Sequence, residues 1–277
     1  MENVRCLICN SEDNTKHITL QDRLRTTSEN FTIVKCQCGF HYLNPRPQFN
    51  EIQQYYDNPR YDPHGKRSSL LNLLFLIARK YTFKMKKNTI LKYVEQGSSI
   101  LDYGSGDGFF SSYMHNNGFF VDSYDPIADN EIFKLDKKYD VVTFWHSLEH
   151  IHNIDEMMGD LVSCLHSKSY VFIAVPNINA FEKIYFKSNW APYDVPRHLY
   201  HFDRFSLIKY FNKYSLEIVS EYSIFLDMIY NIILSSKGVG ILSYLKFFYI
   251  LPYMCLRYLF SPIYKKSTLF YVFKLRK

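Results

Sequence analysis

From residue 98 onwards, short apolar runs alternate with helical stretches along the 277-residue chain. The predicted strands are SSILDYG, FFVDSYD, YDVVTFW, YVFIAVP and LEIVSEY, and STLFYVFKLRK is predicted as the last one. Helices are predicted over residues 108–116, 155–166 and 204–213. Because strands that alternate with helices form βαβ units, the pattern indicates an α/β domain with a mainly parallel, Rossmann-like sheet over residues 96–277.

The first 95 residues have a different pattern. Residues 1–45 are polar, and two cysteine pairs flank a stretch that is predicted to form short strands. Residues 46–95 are predicted as a proline-containing linker with a short helix over 51–55, followed by a helix over 68–94 that breaks near 84–87. Within the large domain, residues 226–264 form an apolar, basic insertion before the last strand. The chain is therefore predicted to have a small module, a linker and a large domain.

Composition and charge narrow the class of protein. Hydrophobic residues make up 47% and charged residues 22%, which is enough for a packed core. The formal net charge is +6, yet the last 50 residues carry eight Lys or Arg residues and no acidic residue. A basic C-terminal segment beside a nearly neutral remainder indicates an anionic binding partner and carries no information about the fold. The opening MENVRCLICN has no apolar signal segment, so a cytoplasmic location with reduced thiols is expected.

The cysteine pairs predict a zinc site. Cys6 and Cys9 form C-x2-C, and Cys36 and Cys38 form C-x-C. Four thiolates complete a tetrahedral Zn²⁺ shell and leave no position for substrate, so the zinc would be structural. His41 is a possible substitute ligand, and the alternative is four buried cysteines without a metal.

A glycine-rich turn predicts a nucleotide site. Asp102, Gly104, Gly106 and Gly108 form D-x-G-x-G-x-G where a strand meets a helix. Glycine allows sharp turns and close approach of backbone to a ligand. Asp125 ends the second strand 21 positions after Gly104, where an acidic side chain can bind ribose hydroxyls. The residues alone leave a dinucleotide and S-adenosylmethionine open.

LDYGSGDG followed by YDVVTFWHSLEHIHN resembles the class I methyltransferases related to ubiquinone biosynthesis. The resemblance implies S-adenosylmethionine as cofactor and a methyltransferase sheet whose last strand is antiparallel. The cofactor-binding residues that it implies are Asp102, Tyr103, Gly104, Ser105, Gly106, Gly108, Asp125, Pro126, Trp145, His146 and Ser147. The stretch over 126–139 is shorter than in the family, so adenine recognition would fall to Asp129 or Asn130.

The order of motifs also resembles that of sugar methyltransferases. A four-cysteine knuckle at the N-terminus is followed by GF-x-YLNPRP, a YY pair and then the class I methyltransferase core. Those enzymes act on nucleotide-linked deoxysugars or in polysaccharide clusters, so the implied acceptor is a small molecule or glycan. A lipophilic aromatic acceptor such as a quinone precursor, and a non-catalytic cofactor-binding protein, are the alternatives. No nucleic-acid partner is expected, because the basic residues lie beside an apolar segment and not around the cofactor loops.

Three histidines are catalytic candidates. His198 and His201 follow the fourth strand, where loops build the active site of this fold, and histidine can remove a proton near neutral pH. In zinc-containing sugar C-methyltransferases a similar stretch carries an EH pair; His198 matches its histidine, but Arg197 replaces its glutamate, so O-methylation is at least as plausible as C-methylation. The alternative is that Asp194, Arg197 and His198 only pin the loop. His150 follows Glu149 in a pair that relatives use at a metal or at the substrate, and that otherwise caps the next helix.

The basic end suggests a membrane contact. Over residues 239–277, Lys246 and Arg257 are the charges within an apolar, aromatic stretch, and Pro252 is predicted to split it into two short helices. Such helices are too short to span a bilayer but fit an anionic membrane surface, which would place the protein peripherally at the inner face. The alternative is a pair of helices that covers the substrate pocket.

Overall fold

The computed structural model describes residues 1–24, 27–57, 69–127, 137–236 and 241–276. Its strands form one sheet of four strands and one of six. The strands are β1 (Asn14–Gln21), β2 (Asn30–Cys36), β3 (His41–Leu43), β4 (Ser99–Tyr103), β5 (Phe120–Tyr124), β6 (Tyr139–Trp145), β7 (Leu165–Pro176), β8 (Tyr200–His201), β9 (Leu216–Tyr222) and β10 (Thr268–Leu275). The α-helices are α1 (Phe49–Ile52), α2 (Ser69–Ile90), α3 (Phe109–His115), α4 (Ile154–Ser163), α5 (Phe181–Phe186), α6 (Arg204–Asn212), α7 (Phe225–Ser235) and α8 (Ile241–Phe260).

The large sheet has the order β5-β4-β6-β7-β10-β9. Strands β5, β4, β6 and β7 are parallel, and β10 runs antiparallel to both of its neighbours. Successive side chains point to opposite faces, so Ile100 and Val141 pack on one face while Leu101 and Val142 pack on the other. Both faces are buried, which explains why the central strands appear as unbroken apolar runs. The predicted α/β, Rossmann-like sheet with a last antiparallel strand is confirmed.

The small sheet joins the N-terminal module to the large domain. Its order is β1-β2-β3-β8, and every pair is antiparallel. Strand β8 follows β7 in the large domain, and its two residues pair with β3 as Tyr42 with Tyr200 and His41 with His201. The module is therefore hydrogen-bonded to the segment in which the catalytic histidines were predicted.

The predicted break in the helix near residues 84–87 is wrong. Helix α2 continues from Ser69 to Ile90 without interruption. Lysine has a high intrinsic helix propensity, so a run of lysines does not interrupt a helix. The aliphatic part of Lys86 is buried together with Ile90, which adds packing to that propensity.

The predicted division at Pro252 is also wrong, because α8 is a single helix with Pro252 inside it. A proline within a helix costs about 3 kcal/mol. On the same helix Ile250, Met254 and Tyr258 are buried, and burial of each large apolar side chain contributes about 1.5–3 kcal/mol. Packing therefore outweighs the cost of the proline. Among the described helices, none is both long and apolar enough to cross a membrane.

Candidate active site

A cavity of about 2040 Å³ opens at the carboxyl ends of the parallel strands. One end is lined by the glycine-rich turn and the ends of β5 and β6. The other end is lined by α7, the loop before β8 and the turn between β1 and β2. Pockets for single drug-sized ligands measure about 300–1,000 Å³, so this cavity has room for a nucleotide cofactor and an acceptor side by side.

Gly104 and Gly106 shape the cofactor end for different reasons. Gly104 has φ +76°, and a Cβ there would lie 2.2 Å from the Cβ of Ser147. The hydroxyl of Ser147 donates to the carbonyl oxygen of Tyr103 at 2.8 Å, so β4 and the end of β6 meet closely. Gly106 has φ +53°, and a Cβ added there would have no atom within 4 Å, so this residue faces open space. Because these glycines have no side chain, the backbone of the turn can directly contact a ligand in the cavity.

Asp125 and Asp102 support the same turn from two sides. The carboxylate of Asp125 lines the cavity and accepts hydrogen bonds from the backbone N–H of Gly106 at 2.8 Å and of Ile127 at 3.0 Å. Asp102 is buried beneath the turn, and its carboxylate accepts from the hydroxyls of Ser111 and Thr143, each at 2.7 Å. Burial raises the pKa of Asp102.

Most of the predicted cofactor residues line the cavity, and two do not. Those that line the cavity are Tyr103, Gly104, Ser105, Gly106, Asp125, Pro126, Trp145, His146 and Ser147. Asp102 and Gly108 do not line it, and Gly108 begins α3. Asp129 and Asn130, the predicted adenine contacts, lie outside the described residues.

Helix α2 forms a wall of the cofactor end that the sequence did not predict. Arg79 lines the cavity, with its guanidinium 4.1 Å from the ring centroid of Phe109. Lys86 is buried, and its Nζ lies 4.1 Å from the ring centroid of Trp145. Burial lowers the pKa of Lys86 to about 8, although the charges of Asp227 and Asp102 oppose this effect. Of these two cations only Arg79 lines the cavity, and no motif marks it, because helical spacing alone does not show which basic residue faces a pocket.

His146 ends β6 in a left-handed conformation with φ +56° and lines the cavity. Its Nε2 lies 3.0 Å from a carboxylate oxygen of Asp227, which also accepts the hydroxyl of Thr268 at 2.7 Å. Burial alone would lower the pKa of His146, but the carboxylates of Asp227 and Glu149 raise it to about 9. Asp227 lies in the apolar insertion, 81 positions from His146, so no local pattern links it with the motif on β6.

Three side chains at the acceptor end come together, namely Glu149, His150 and His198. One carboxylate oxygen of Glu149 lies 3.9 Å from Nε2 of His198, and the two imidazole rings are 4.7 Å apart. The Nδ1 of His198 contacts the carbonyl oxygen of Pro192 at 2.8 Å, and that of His150 contacts the carbonyl oxygen of Arg197 at 3.0 Å. The carbonyl oxygen of Pro192 can only accept, so in the neutral ring Nδ1 of His198 carries the hydrogen and Nε2 presents a lone pair. The Nδ1 of His150 also lies 2.9 Å from the hydroxyl of Tyr56, which can donate to it, so either tautomer of His150 has a partner.

The loop that carries His198 is held by buried ion pairs. The guanidinium of Arg197 has no exposed surface and donates to Asp22 at 2.6 Å and to Asp194 at 2.9 Å. Burial alone would raise the pKa of Asp194, but Arg197 and Arg23 hold it well below its usual range. Asp194 and Arg197 are thus paired in a buried network of the kind that was one of the two predicted alternatives, while Asp194 and His198, unlike Arg197, also line the cavity.

The turn between β1 and β2 forms part of the acceptor end. Asp22 and Arg23 line the cavity together with the end of β1, and both contact the loop before β8. The N-terminal module therefore carries the cysteine cluster and also contributes residues to the wall of the pocket. Cysteine spacing predicts the cluster but says nothing about this contact.

His201 is placed differently from His198. It lies in β8, is buried, and is not among the residues that line the cavity. Its ring centroid is 6.4 Å from that of His198, and its Nε2 has no hydrogen-bond partner among the described residues. The structure therefore does not bring His201 to the position where an acceptor would bind.

The four predicted zinc ligands converge at the end of the small sheet. The sulfur atoms of Cys6 and Cys38 are 3.5 Å apart, those of Cys9 and Cys36 are 3.4 Å apart, and all four lie within 4.8 Å of one another. All four cysteines are free thiols. Tetrahedral zinc with Zn–S bonds of about 2.3 Å requires sulfurs close to this separation. The cluster fits a zinc ion.

Comparison with known proteins supports one class of activity. A family model described as a methyltransferase domain matches residues 75–221. No curated protein matches the chain.

Several solved structures are similar to the chain. A SAM-dependent methyltransferase from Archaeoglobus fulgidus has 18% identity and a TM-score of 0.42, covering 73% of this chain and 99% of its own. The 1,6-didemethyltoxoflavin-N1-methyltransferase of Burkholderia thailandensis has 10% identity and a TM-score of 0.43, covering 77% and 93%. A TehB-like SAM-dependent methyltransferase from Corynebacterium glutamicum has 11% identity and a TM-score of 0.40, covering 73% and 99%.

Proposed function

This chain belongs to the S-adenosylmethionine-dependent methyltransferase family, and on that premise we propose that it methylates a hydroxyl group of a nucleotide- or lipid-linked sugar. One observation carries the proposal. The carboxylate of Glu149 and the Nε2 lone pair of His198, both hydrogen-bond acceptors, lie together at the cavity wall with the ring of His150 beside them. A ligand with several hydroxyl donors complements these groups, because a buried acceptor without a donor is unfavourable.

The cofactor end supports this activity. We propose that Gly104, Ser105 and Gly106 hold the amino-acid part of S-adenosylmethionine through backbone groups, and that Asp125, with Pro126, holds its ribose. Tyr103, Trp145, His146 and Ser147 would line the methionine end, while Asp102 and Gly108 would support the turn without touching the ligand. Arg79 adds a cation to the same wall, where it can face the cofactor's carboxylate.

S-Adenosylmethionine supplies an electrophilic methyl group when it is bound. The chain's own task is to hold the acceptor oxygen in line with that group and to accept the proton of the hydroxyl. His198 is placed for the second task, because its Nδ1 hydrogen is committed to Pro192 and its Nε2 lone pair faces the cavity. Burial and the neighbouring His198 lower the pKa of His150 to about 4, so His150 is neutral near pH 7 and adds a polar, uncharged ring beside His198.

Oxygen is favoured over carbon as the methylated atom. In the sugar C-methyltransferases that this chain resembles, a glutamate stands at the position that Arg197 occupies here. That guanidinium is fully buried between Asp22 and Asp194 and cannot reach the cavity or exchange a proton. The cysteine cluster is proposed to hold a structural zinc, since four thiolates leave no position for substrate.

A lipophilic aromatic acceptor is the second candidate. It is supported by apolar side chains of α7 and α8 that line the cavity near the acceptor end, including Leu226, Leu234 and Ile250. Incubation with methyl-labelled cofactor and two acceptor panels, followed by mass spectrometry, separates the candidates. We expect label on a hydroxyl of a nucleotide-linked deoxysugar. If only a quinone precursor were labelled, the proposed sugar acceptor would be wrong. If the label were attached to a carbon atom, the proposed O-methylation would be wrong.

We also propose that α8 rests on an anionic membrane surface. Beside its buried face, the helix exposes Phe248, Tyr249, Tyr253, Leu256, Leu259 and Phe260. Tyr249 is 86% exposed and Phe260 is 80% exposed, and exposed apolar patches of this kind commonly mark interaction sites. Lys265 and the exposed Arg257 follow on the same end of the molecule, and each cation near an anionic surface contributes about 1 kcal/mol.

Vesicle flotation tests the membrane contact. The protein should float with anionic vesicles, should not float with neutral ones, and should be released at high salt. Replacing Tyr249 and Phe260 with Glu should abolish flotation, whereas Phe205→Glu, at an exposed site on α6, should not. Absence of flotation with either vesicle would leave α8 only its role in covering the pocket.

A further inference from the structure

Three lysines from separate parts of the chain surround the start of helix α5, and we call them the lysine patch. Lys183 lies on α5, Lys35 lies near the end of β2, and Lys265 lies in the short turn before β10. The side-chain amide of Asn177, just before α5, donates to the carbonyl oxygens on either side of Lys265, at 3.0 Å and 2.7 Å. These hydrogen bonds fix the turn that carries Lys265 beside the helix.

The small sheet brings Lys35 to the same place. Lys35 pairs with His41 of β3, which pairs in turn with His201 of β8, so the three side chains form one row across the sheet. The next residue, Phe202, accepts a hydrogen bond at 2.9 Å from the backbone N–H of Ile178, which lies just before α5. The row that contains Lys35 therefore leads to the start of α5.

The positive charge of the lysine patch is not balanced by carboxylates. Lys183 is half-buried, and none of the three lysines forms an ion pair within the part of the chain that the structure describes. Burial, and then the charges of Lys265 and Lys35, lower the pKa of Lys183. Because like charges repel, an anion with more than one negative charge would complement the patch.

The cavity, in contrast, is poorly suited to phosphate groups. Of the described residues that line it none is a lysine and two are arginines, of which Arg79 lies at the cofactor end and Arg23 is paired with Asp194. Carboxylates are more numerous on the same walls, namely those of Asp22, Asp125, Glu149, Glu156, Asp160, Asp194 and Asp227. A phosphorylated acceptor is therefore expected to keep its phosphates outside the cavity.

Helix α5 connects the lysine patch with the cavity and with an apolar surface. Lys183 and Phe186 are three residues apart, so they lie on the same side of the helix, and Phe186 lines the cavity. Ile184, next to Lys183, is 74% exposed, and Phe260, five residues before Lys265, is 80% exposed. A ligand on the patch can thus extend into the cavity on one side and onto apolar surface on the other.

We propose that Lys35, Lys183 and Lys265 bind the diphosphate of a lipid-linked acceptor, whose sugar enters the cavity along α5 while its apolar chain lies against Ile184 and the end of α8. The exposed apolar side chains that border the patch favour a lipid over a nucleotide as the second substituent of the diphosphate. The sugar rests on the proposed function, whereas the diphosphate site stands on the lysine patch itself.

Calorimetry with farnesyl diphosphate, a short prenyl diphosphate, tests the site on the full-length protein without reference to activity. The triple variant Lys35→Gln, Lys183→Gln, Lys265→Gln should bind this probe about 100-fold more weakly, since each cation near an anionic group contributes about fivefold. Lys168→Gln is the matched control, because Lys168 is an exposed lysine near the amino end of β7, away from the cavity. It should bind the probe as the wild type does.

The choice of probe separates the parts of the ligand. Farnesol, which lacks phosphate, should not bind, and inorganic diphosphate and uridine diphosphate should bind at least about tenfold more weakly than farnesyl diphosphate. Equal affinity for inorganic diphosphate would reject the lipid, and equal affinity for uridine diphosphate would replace the lipid with a nucleotide. Equal binding of farnesyl diphosphate by the wild type and the triple variant would overturn the lysine patch.

Two further outcomes distinguish this site from the proposed methyl transfer and from the membrane contact. Transfer to a sugar that the triple variant performs as well as the wild type would keep the proposed function and overturn the diphosphate site. Lysine-dependent binding of farnesyl diphosphate without transfer to any sugar would keep the site and reject the proposed function. Flotation with anionic vesicles that requires these lysines, without binding of farnesyl diphosphate, would assign them to membrane phospholipid instead.

Discussion

The two ends of the cavity are constructed in different ways. The cofactor end uses three consecutive strand ends, and its closest contacts involve backbone, as with Gly104 against Ser147 and the N–H of Gly106 on Asp125. The acceptor end gathers side chains from the β1–β2 turn, the segment after β6, the loop before β8 and helix α7. Its contacts connect distant residues, such as Asp22 with Arg197, and Asp227 of α7 contacts His146 at the cofactor end.

This difference indicates which part of the cavity depends on a few fixed residues and which part can be altered by changes in a single segment. Backbone that binds a cofactor depends on a few glycines and on strand order, so it tolerates change elsewhere. A pocket assembled by long-range side-chain contacts can be altered by changing one contributing segment. We therefore expect damage to the N-terminal module to act on the acceptor end and to spare cofactor binding.

The largest expected effect is that of zinc removal. Cys9→Ser with Cys36→Ser should release the metal, unfold the knuckle and displace the β1–β2 turn that holds Arg197. Methyl transfer should fall by about 100-fold or more, because small displacements of a positioned acceptor have effects of that size.

Calorimetry with S-adenosylmethionine should show an unchanged dissociation constant for this double variant. Cys255→Ser, which changes a lone cysteine on α8, should keep the zinc and the activity. Loss of cofactor affinity along with turnover would show that the two ends are not separable, and full activity without zinc would reject the structural role of the metal.

The next largest effect is expected at His198. His198→Ala should lower kcat by about 10²-fold, which is the lower end of what a general base contributes, and should leave the cofactor dissociation constant unchanged. His201→Ala provides the comparison, because His201 is buried nearby but lies outside the cavity. Equal losses of kcat in the two variants, matched by equal losses of thermal stability, would mean that His198 is only structural.

A change at Gly106 tests the cofactor end, because it should weaken cofactor binding, which the preceding variants should spare. Gly106→Val should weaken S-adenosylmethionine binding by about 100-fold, because the side chain projects into the open space where backbone meets ligand. Gly97→Val is the matched control, since Gly97 also has positive φ and free space around it but lies away from the cavity. Similar affinities in the two variants, measured by calorimetry, would place the cofactor elsewhere.

The smallest effect on activity is expected at Glu182, a buried residue of α5 that does not line the cavity. Burial raises its pKa from the usual 4.5 to about 7, and its carboxylate has no hydrogen-bond partner among the described residues. Because the folded-state pKa is the higher one, its stabilising contribution is present below pH 4.5 and is lost as the pH rises through 7.

Glu182→Gln should therefore stabilise the protein by up to about 3 kcal/mol at pH 8 and should have little effect at pH 4. Urea denaturation at both pH values measures this difference. Glu156→Gln, on the exposed face of α4, should show no such dependence on pH. A pH-independent effect of Glu182→Gln would mean that the carboxyl group stays in one protonation state.

Much of the cofactor end could be predicted from the sequence. Strand β4, the glycine turn and Asp125 all lie within residues 99–125, so local spacing is enough to place them at one edge of a parallel sheet. The cysteine cluster was predictable for a related reason, because the C-x2-C and C-x-C pairs each form a tight turn and a metal requires the two turns to meet. The breaks expected in α2 and α8 were wrong, because burial of one helix face outweighs local interruptions.

The acceptor end was decided by tertiary structure. The sequence marks His150 and His198 as candidates, but it does not show that Glu149 would be buried beside both of them or that His201 would face away. It also gives no reason to pair Asp22 with Arg197, 175 positions apart, or Asp227 with His146, 81 positions apart. Such contacts arise when strands and helices pack as whole elements, so they depend on the global arrangement of the sheet. Periodicity and spacing report only neighbours along the chain, and for that reason they determine the cofactor turn and the cysteine knuckle but not the pocket between them.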